Sequence, residues 1–244
     1  MPAAFEPIAS LWIGERLTDM ERLSICSFLA AGHPYHLYVY GDVQRVPEGT
    51  TLLPGDEILP ASRLFAYKSG PGKGSYSAVS NLFRYRLLYE TGKWWADTDM
   101  VCLRPFDFSE PYVLGAQDAA GRREDWVAAG VVKMPAGCHW AAELVRRCEA
   151  AGTSFGWGTC GPRLLTATVE SRAARHWVQP PDVFYPVRFR DWRTLFEADG
   201  PALDDEATRG VHLWHEMTRR EGLDPDGTFP ETSVYQRLRT RFLS

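Results

Sequence analysis

Two aspartates two positions apart, Asp97 and Asp99, lie in a stretch of the sequence that is otherwise apolar. Residues 94–96 before them and 100–103 after them are tryptophan, alanine, methionine, valine, cysteine and leucine. Two buried carboxylates without a partner repel each other and lose solvation, so a cation that prefers oxygen ligands, such as Mg²⁺ or Mn²⁺, would compensate them. We therefore predict a metal site at the end of a short buried strand.

The Asp-x-Asp pattern alone is weak evidence, because it arises about once by chance in a chain of this composition. A second copy, Asp224 and Asp226, stands beside Pro225 and Gly227. Those neighbours are typical of a surface turn. The apolar surroundings therefore distinguish the first copy from the second.

A second set of candidate ligands lies in the segment 210–217, which contains His212 and His215. The sequence His215-Glu216 is not followed by the second histidine of a zinc protease motif, which excludes that class of site. A single histidine in an apolar strand is more often a core residue than a ligand. From the residues alone, His212 could be either.

The elements around these residues predict an α/β fold. Residues 8–14 and 35–40 have the composition of strands, and between them Thr18 and Glu21 have the spacing of a capping box that starts a helix. Strand, helix and strand in this order indicate a parallel sheet. Residues 41–73 look irregular, and the glycines of 69–75 lack the spacing of a dinucleotide-binding loop, so a loop is the simpler interpretation.

Further elements follow along the chain without a dividing linker. An apolar stripe of Ala78, Leu82, Tyr85 and Tyr89 predicts a helix that ends at Gly92. Strands are predicted at 94–96, 100–103, 113–118, 127–134 and 211–214, and helices at 139–151 and from about 232. We predict one domain, 1–244.

Composition narrows the function classes. The chain has 244 residues, 45% of them hydrophobic, and a formal charge of −4, which gives no reason to expect nucleic acid as a partner. No apolar run has the roughly 18–20 residues that span a bilayer, and the start carries Glu6 and no basic residue, unlike a signal peptide. Five cysteines without a C-x-x-C pair predict a reduced cytosolic protein.

The segment 80–106 resembles the DxD-containing glycosyltransferases, a family that includes α-1,4-galactosyltransferases, initiating mannosyltransferases and, more remotely, clostridial toxin glucosyltransferase domains. The family pattern is a helix S-D-x-x-R-Y, then G-G, an aromatic residue and D-x-D. The corresponding segments here are SNLFRY (80–85), GKWW (92–95) and DTD (97–99), and three more agree in order: LWIG (11–14), CGPRLLT (160–166) and HLW (212–214). The resemblance implies an α/β GT-A-like fold with a mostly parallel central sheet and helices on both faces.

The resemblance implies a donor site and a metal site. In the donor site, Trp12 would stack on the nucleotide base, Ser80 would lie near the ribose, Arg84 would contact the donor sugar or its phosphates, and Trp214 would donate its indole N–H to the diphosphate.

For the metal, Mn²⁺ or Mg²⁺, the resemblance assigns Asp99 as a direct ligand. Asp97 would approach both ribose and metal, and His212 would complete the shell.

The chain departs from the family pattern at the donor sugar. Asn81 stands where the family commonly has an aspartate, so one charge is lost although the amide carbonyl can still accept a hydrogen bond. An asparagine that usually lies near Ala128 or Ala129 is absent, and Lys93 replaces the second glycine. Gln117 and Asp118 are our candidates for the acceptor side.

The resemblance thus implies a metal-dependent retaining glycosyltransferase. It would move a hexose from a nucleotide sugar, with UDP-hexose the first candidate, to a glycan or glycolipid acceptor in surface polysaccharide or lipopolysaccharide synthesis. The location would be cytoplasmic, with peripheral association at the cytoplasmic face of the membrane and no obligate protein partner. Two alternatives stay open: a non-catalytic protein that binds nucleotide sugars or glycans, and a metal-dependent hydrolase of sugar nucleotides.

Overall fold

Strands and helices alternate along the chain in the computed structural model, which describes residues 5–70, 72–118, 125–152 and 158–243. The strands are β1 (Ile8–Trp12), β2 (Tyr35–Val39), β3 (Thr50–Pro54), β4 (Trp94–Ala96), β5 (Met100–Cys102), β6 (Val113–Gln117), β7 (Trp126–Lys133), β8 (Val178–Gln179) and β9 (Gly210–His212). The α-helices are α1 (Asp19–Ala30), α2 (Ser77–Thr91), α3 (His139–Ala151), α4 (Leu164–Glu170), α5 (Pro181–Phe184), α6 (His215–Glu221) and α7 (Val234–Phe242).

The central sheet has seven strands in the order β3-β2-β1-β4-β7-β6-β8. β1 pairs in parallel with β2 and β4, β2 pairs in parallel with β3, and β6 pairs in parallel with β8. β7 is antiparallel to both of its neighbours, β4 and β6, so the other six strands share one direction. The predicted mostly parallel sheet is therefore confirmed.

Helices cover both faces of this sheet. On one face α1 and α7 pack their buried side chains, among them Met20 and Tyr235, into a core with Ile8. On the other face α2, α3 and α4 form a second core, which includes Leu144 and Leu165. Burial of these two apolar layers is the main favourable contribution to folding.

α1 begins as its sequence predicts. The Thr18 backbone N–H donates to Glu21 at 2.7 Å, and the Met20 N–H donates to the Thr18 hydroxyl at 3.3 Å, so free N–H groups of the first turn have partners. Glu21 is itself fully buried, because the same face of the helix packs on the sheet.

α2 is likewise close to its predicted position. It ends at Gly92, whose φ of +65° is the left-handed conformation that glycine adopts without strain.

The region from 41 to 73 is more regular than the sequence suggests. β3 forms there as an edge strand beside β2, with largely exposed side chains and Pro54 at its end. Proline and polar residues are tolerated at an edge because one side of the strand needs no partner. The composition of β3 therefore did not indicate a buried strand.

A separate two-stranded ladder joins β5 to β9, in which Met100 lies opposite His212. Because Asp99 directly precedes β5, this pairing brings the Asp-x-Asp segment against the segment His212–Trp214. The Asp99 carbonyl also accepts a hydrogen bond from the Leu213 N–H at 2.9 Å.

The second Asp-x-Asp copy forms the predicted turn, where the Asp226 N–H donates to the Asp224 carboxylate at 3.0 Å. The Asp226 carboxylate accepts bonds from Arg16 and Arg45, each at 3.0 Å, and from the Asp19 N–H at 2.7 Å. These partners tie the turn to the start of α1, so its role is structural.

All five cysteines have free thiols, with Cys102, Cys148 and Cys160 buried. Among the described residues, none of the helices combines the length and apolar character that a membrane span requires.

Candidate functional site

A cavity of about 540 Å³ opens at the carboxyl ends of β1 and β4. These strands are parallel, so the residues after them meet at one edge of the sheet, where α/β proteins commonly bind ligands. The residues that the sequence assigned to the site and that line this cavity are Trp12, Ser80, Asn81, Arg84, Asp97, Asp99, Gln117, His212 and Trp214.

Asp99 and His212 form a buried pair on the cavity wall. The Asp99 Oδ1 atom lies 3.1 Å from His212 Nε2, and Oδ2 accepts the backbone N–H of His215 at 2.8 Å. Burial opposes the charged form of both side chains, but their mutual attraction is stronger. The pKa of Asp99 is therefore below its ordinary value and the pKa of His212 is above its own.

Asp97 is held by neighbours on α2 and β4. Its Oδ1 atom accepts from the Arg84 guanidinium at 2.5 Å and from the Trp95 indole N–H at 2.8 Å. Arg84 also donates to the Asn81 side-chain oxygen Oδ1 at 2.6 Å, and the Arg84 side chain is only 4% exposed. Arg84 therefore fixes Asp97 and Asn81 relative to each other, while Oδ2 of Asp97 accepts neither of these bonds.

The residues present fit a divalent metal ion. One ligand atom from each of Asp97, Asp99 and His212 can be chosen so that all three lie within 4.8 Å of one another. Two carboxylates and an imidazole are a donor set that suits Mn²⁺ and its neighbours among divalent ions.

Glycine leaves space between these groups. A Cβ atom on Gly130 of β7 would lie 3.3 Å from Asp97 Oδ2 and 3.6 Å from His212 Nε2. The same Cβ would lie 2.9 Å from the Tyr185 hydroxyl oxygen, so a side chain at this position would crowd Asp97, His212 and Tyr185.

Trp12 lies beside His215 at the same cavity. Their rings are inclined by 26° with centroids 6.4 Å apart. Glu21 lies behind them, with Oε1 3.7 Å from His215 Nδ1, and burial raises the pKa of this carboxyl. A flat aromatic surface at a polar cavity can stack a nucleobase, which is the role that the resemblance implies for Trp12.

The structure gives Trp214 a different hydrogen bond from the one the resemblance implies. Its indole N–H donates to the Val187 carbonyl at 3.2 Å. The residue sits in the left-handed region with φ of +57°, just before α6, and its ring meets His212 edge-on with centroids 4.3 Å apart. Trp214 thus ties the histidine segment to the segment around Val187.

The two acceptor-side candidates, Gln117 and Asp118, differ in their relation to the cavity. Gln117 lines the cavity at the end of β6, whereas Asp118 pairs with Arg190 at 3.3 Å and is not among the lining residues. Asp118 therefore connects β6 to the segment that begins at Phe189.

Sequence reasoning missed several residues of the cavity, among them Gly130, Tyr185 and Phe189. Glycine within the apolar strand 127–134 was a usable signal, because a glycine in a strand often marks a close approach. Tyr185 is fully buried, with its ring edge-on to His212 at 5.6 Å, and burial together with the charge of Asp97 raises its pKa. Nothing in its local sequence indicated this position.

The fold corresponds to the GT-A-like class of glycosyltransferases, which have a mostly parallel central sheet. Among solved structures, the PaToxG glycosyltransferase is similar, with a TM-score of 0.51 and 13% identity, over 70% of this chain and 69% of that one. At this identity the likeness concerns the fold alone. It confirms the predicted fold class.

Sequence comparisons find similarity to alpha-1,4-glycosyltransferases. Residues 139–241 match the family model for the alpha 1,4-glycosyltransferase conserved region, a segment that includes His212 and Trp214 but starts after Asp99. Lactosylceramide 4-alpha-galactosyltransferase of Rattus norvegicus is 28% identical, over 60% of this chain and 43% of the relative. The Homo sapiens enzyme of the same name is 26% identical, over 68% of this chain and 53% of the relative.

This chain spans about half the length of those two relatives. The comparisons confirm the predicted resemblance to the DxD-containing glycosyltransferases, and glycosyltransferase is the enzyme class that they support.

Proposed function

We propose that this chain is a metal-dependent glycosyltransferase that moves a hexose from a nucleotide sugar, with UDP-hexose as the first donor to test. The observation that carries the proposal is the convergence of Asp97, Asp99 and His212, with Gly130 close to Asp97 and His212. A diphosphate leaving group accumulates negative charge as the glycosidic bond breaks, and a Mn²⁺ or Mg²⁺ ion at these ligands would supply the countercharge.

The other cavity residues have distinct roles in this proposal. Trp12 stacks on the base, and Ser80 lies within the cavity on the first turns of α2, where it can meet the ribose. Arg84 holds the Asp97 carboxylate and the Asn81 side-chain oxygen, and Asn81 lines the cavity where we place the donor sugar. Because Trp214 bonds Val187, we assign it to positioning His212 instead of the phosphates.

The acceptor is proposed to be a glycan or glycolipid, as the names of the curated relatives suggest for those proteins. Those names also specify an alpha linkage. An alpha linkage formed from an α-linked donor such as UDP-galactose retains configuration, so we extend the retaining stereochemistry to this chain as part of the proposal.

The experiment is a titration of the protein with UDP, GDP and CMP, each in Mn²⁺ and in EDTA, followed by calorimetry and thermal denaturation. We expect UDP to bind only with Mn²⁺, and Asp99→Asn to lose this binding. Asp224→Asn changes the other Asp-x-Asp copy, which lies in a surface turn, and should bind UDP as the wild type does. Loss of metal-dependent binding in both variants, or in neither, contradicts the assignment.

Activity separates the proposal from the two alternatives. With UDP-sugars and a panel of glycosides, a transferase forms a new glycoside, whereas a hydrolase releases free sugar at a rate that no acceptor changes. A protein that binds UDP with Mn²⁺ but consumes no UDP-sugar is the non-catalytic alternative.

A further inference from the structure

Phe189 is an exposed aromatic residue at the cavity. Its exposed fraction is 42%, which is unusual for a phenylalanine, and it lines the same cavity as the Asp97, Asp99 and His212 group. Ligand cavities are commonly lined by aromatic side chains together with a few polar groups, so an exposed ring on the wall of this cavity is a candidate recognition surface.

Two contacts fix the segment that carries Phe189. On one side, the Trp214 indole N–H holds the Val187 carbonyl at 3.2 Å, and the Phe189 ring meets the Trp214 ring at 74° with centroids 5.6 Å apart. On the other side, Arg190 pairs with Asp118 at the end of β6. These contacts hold the ring in place, and 42% of Phe189 stays exposed although the ring contacts Trp214.

The position of this ring suits the acceptor and not the nucleotide. Trp12, the candidate for base stacking, extends from β1 and contacts His215. Phe189 instead contacts Trp214, which in turn meets His212, and its neighbour Arg190 reaches the β6 end that also carries Gln117. The cavity therefore has two aromatic surfaces, Trp12 beside His215 and Phe189 beside Trp214.

Resting on the proposed function, we propose that Phe189 is the stacking platform for a pyranose ring of the acceptor, with Gln117 as a hydrogen-bonding partner beside it. A pyranose has one face of C–H groups, which carry partial positive charge, and an aromatic face is electron-rich. The hydroxyl groups at the rim of the same sugar require polar partners, and Gln117 offers both a donor and an acceptor.

The test uses the protein loaded with Mn²⁺ and UDP and three probes: methyl β-D-galactopyranoside, methyl β-D-glucopyranoside and methyl β-lactoside. Saturation-transfer NMR reports which sugar protons contact the protein, and a titration gives the dissociation constant. We expect contact through C–H protons of one ring face. Phe189→Ala should weaken binding about tenfold, and Phe189→Tyr should keep it near the wild-type value.

Tyr89→Ala is the matched control, because Tyr89 is also 42% exposed but lies in the last turn of α2 and does not line the cavity. It should leave sugar binding unchanged, and the UDP affinity of every variant verifies that the donor site is intact. The proposal is overturned if Phe189→Ala binds the probes as the wild type does, if Tyr89→Ala weakens them equally, or if none of the probes binds the wild type.

The outcomes separate this inference from the function on which it rests. If UDP binding depends on the metal but Phe189→Ala does not change the affinity for sugars, the stacking role of Phe189 is refuted. The transferase proposal then stays intact. Sugar binding that depends on Phe189, in a protein that transfers no sugar from any nucleotide donor, refutes the transferase proposal and leaves the platform.

Discussion

Substitution of Gly130 by alanine tests whether the space beside Asp97 and His212 is functional. The added Cβ would lie 2.9 Å from the Tyr185 hydroxyl oxygen and 3.3 Å from Asp97 Oδ2. The first distance is shorter than a normal contact, and the tyrosine is fully buried, so the methyl group and its neighbours must shift apart. We expect the methyl group to displace Asp97 or to occupy the volume where a metal ion would bind.

Two magnitudes follow. Forcing a methyl group into a well-packed interior costs about 1–3 kcal/mol of the free energy of unfolding. Disturbing the groups around a metal typically lowers its affinity by about 10–100-fold, and we expect metal-dependent UDP binding to fall by at least that lower factor.

The matched control is Gly55→Ala. Its Cβ would lie 2.7 Å from the Tyr40 ring, so it also presses on a tyrosine, but neither residue lines the cavity. Urea denaturation in EDTA measures stability, and calorimetry measures UDP binding in Mn²⁺. The reasoning is refuted if Gly130→Ala binds UDP as tightly as the wild type, or if Gly55→Ala loses binding to the same extent.

Two further predictions concern stability. Thr18→Ala removes the cap of α1 and the hydroxyl that donates to the buried Glu21 at 2.6 Å, so the free energy of unfolding should fall by about 2 kcal/mol in urea denaturation, with Thr18→Ser recovering most of it. His33 accepts from the Phe106 N–H and contacts the Glu6 carbonyl, each at 2.9 Å, and burial lowers its pKa below the ordinary 6.5. The unfolded chain therefore binds a proton at His33 more readily than the native state does. As pH falls below about 6.5, the free energy of unfolding should decrease by up to about 1.4 kcal/mol per pH unit through this residue. The pH dependence of unfolding in His33→Gln should lack this component, and an unchanged pH dependence would contradict the assignment.

Local patterns in the sequence predicted most of the fold. The capping box at Thr18, the stop at Gly92 and the apolar strand before Asp97 each depend on neighbours a few positions away, so the sequence shows them directly. β3 escaped because an edge strand needs no buried run, and its residues resemble a loop in composition.

The candidate site was predictable only in part, because only some of its residues stand out from their neighbours in the sequence. Asp97 and Asp99 are conspicuous as charges in an apolar stretch, and His212 gained support only from the resemblance. Tyr185 and Phe189 reach the cavity through tertiary packing that no local pattern specifies. The bond from Trp214 to Val187 likewise depends on a fold-wide arrangement, so a role carried over from a family motif did not predict it.

The pairing of β5 with β9 also links the metal group to the stability of the carboxyl-terminal segment. Asp99 and the His215 N–H that binds it are 116 positions apart in the chain, so the ligand group exists only when the segment that carries β9 and His215 is docked. An ion that binds the assembled group would be linked to this docking and would oppose local unfolding of the carboxyl-terminal segment. Amide hydrogen exchange of β9 and α7 would then slow in Mn²⁺. The metal would join distant parts of the chain as well as supply a countercharge for the donor.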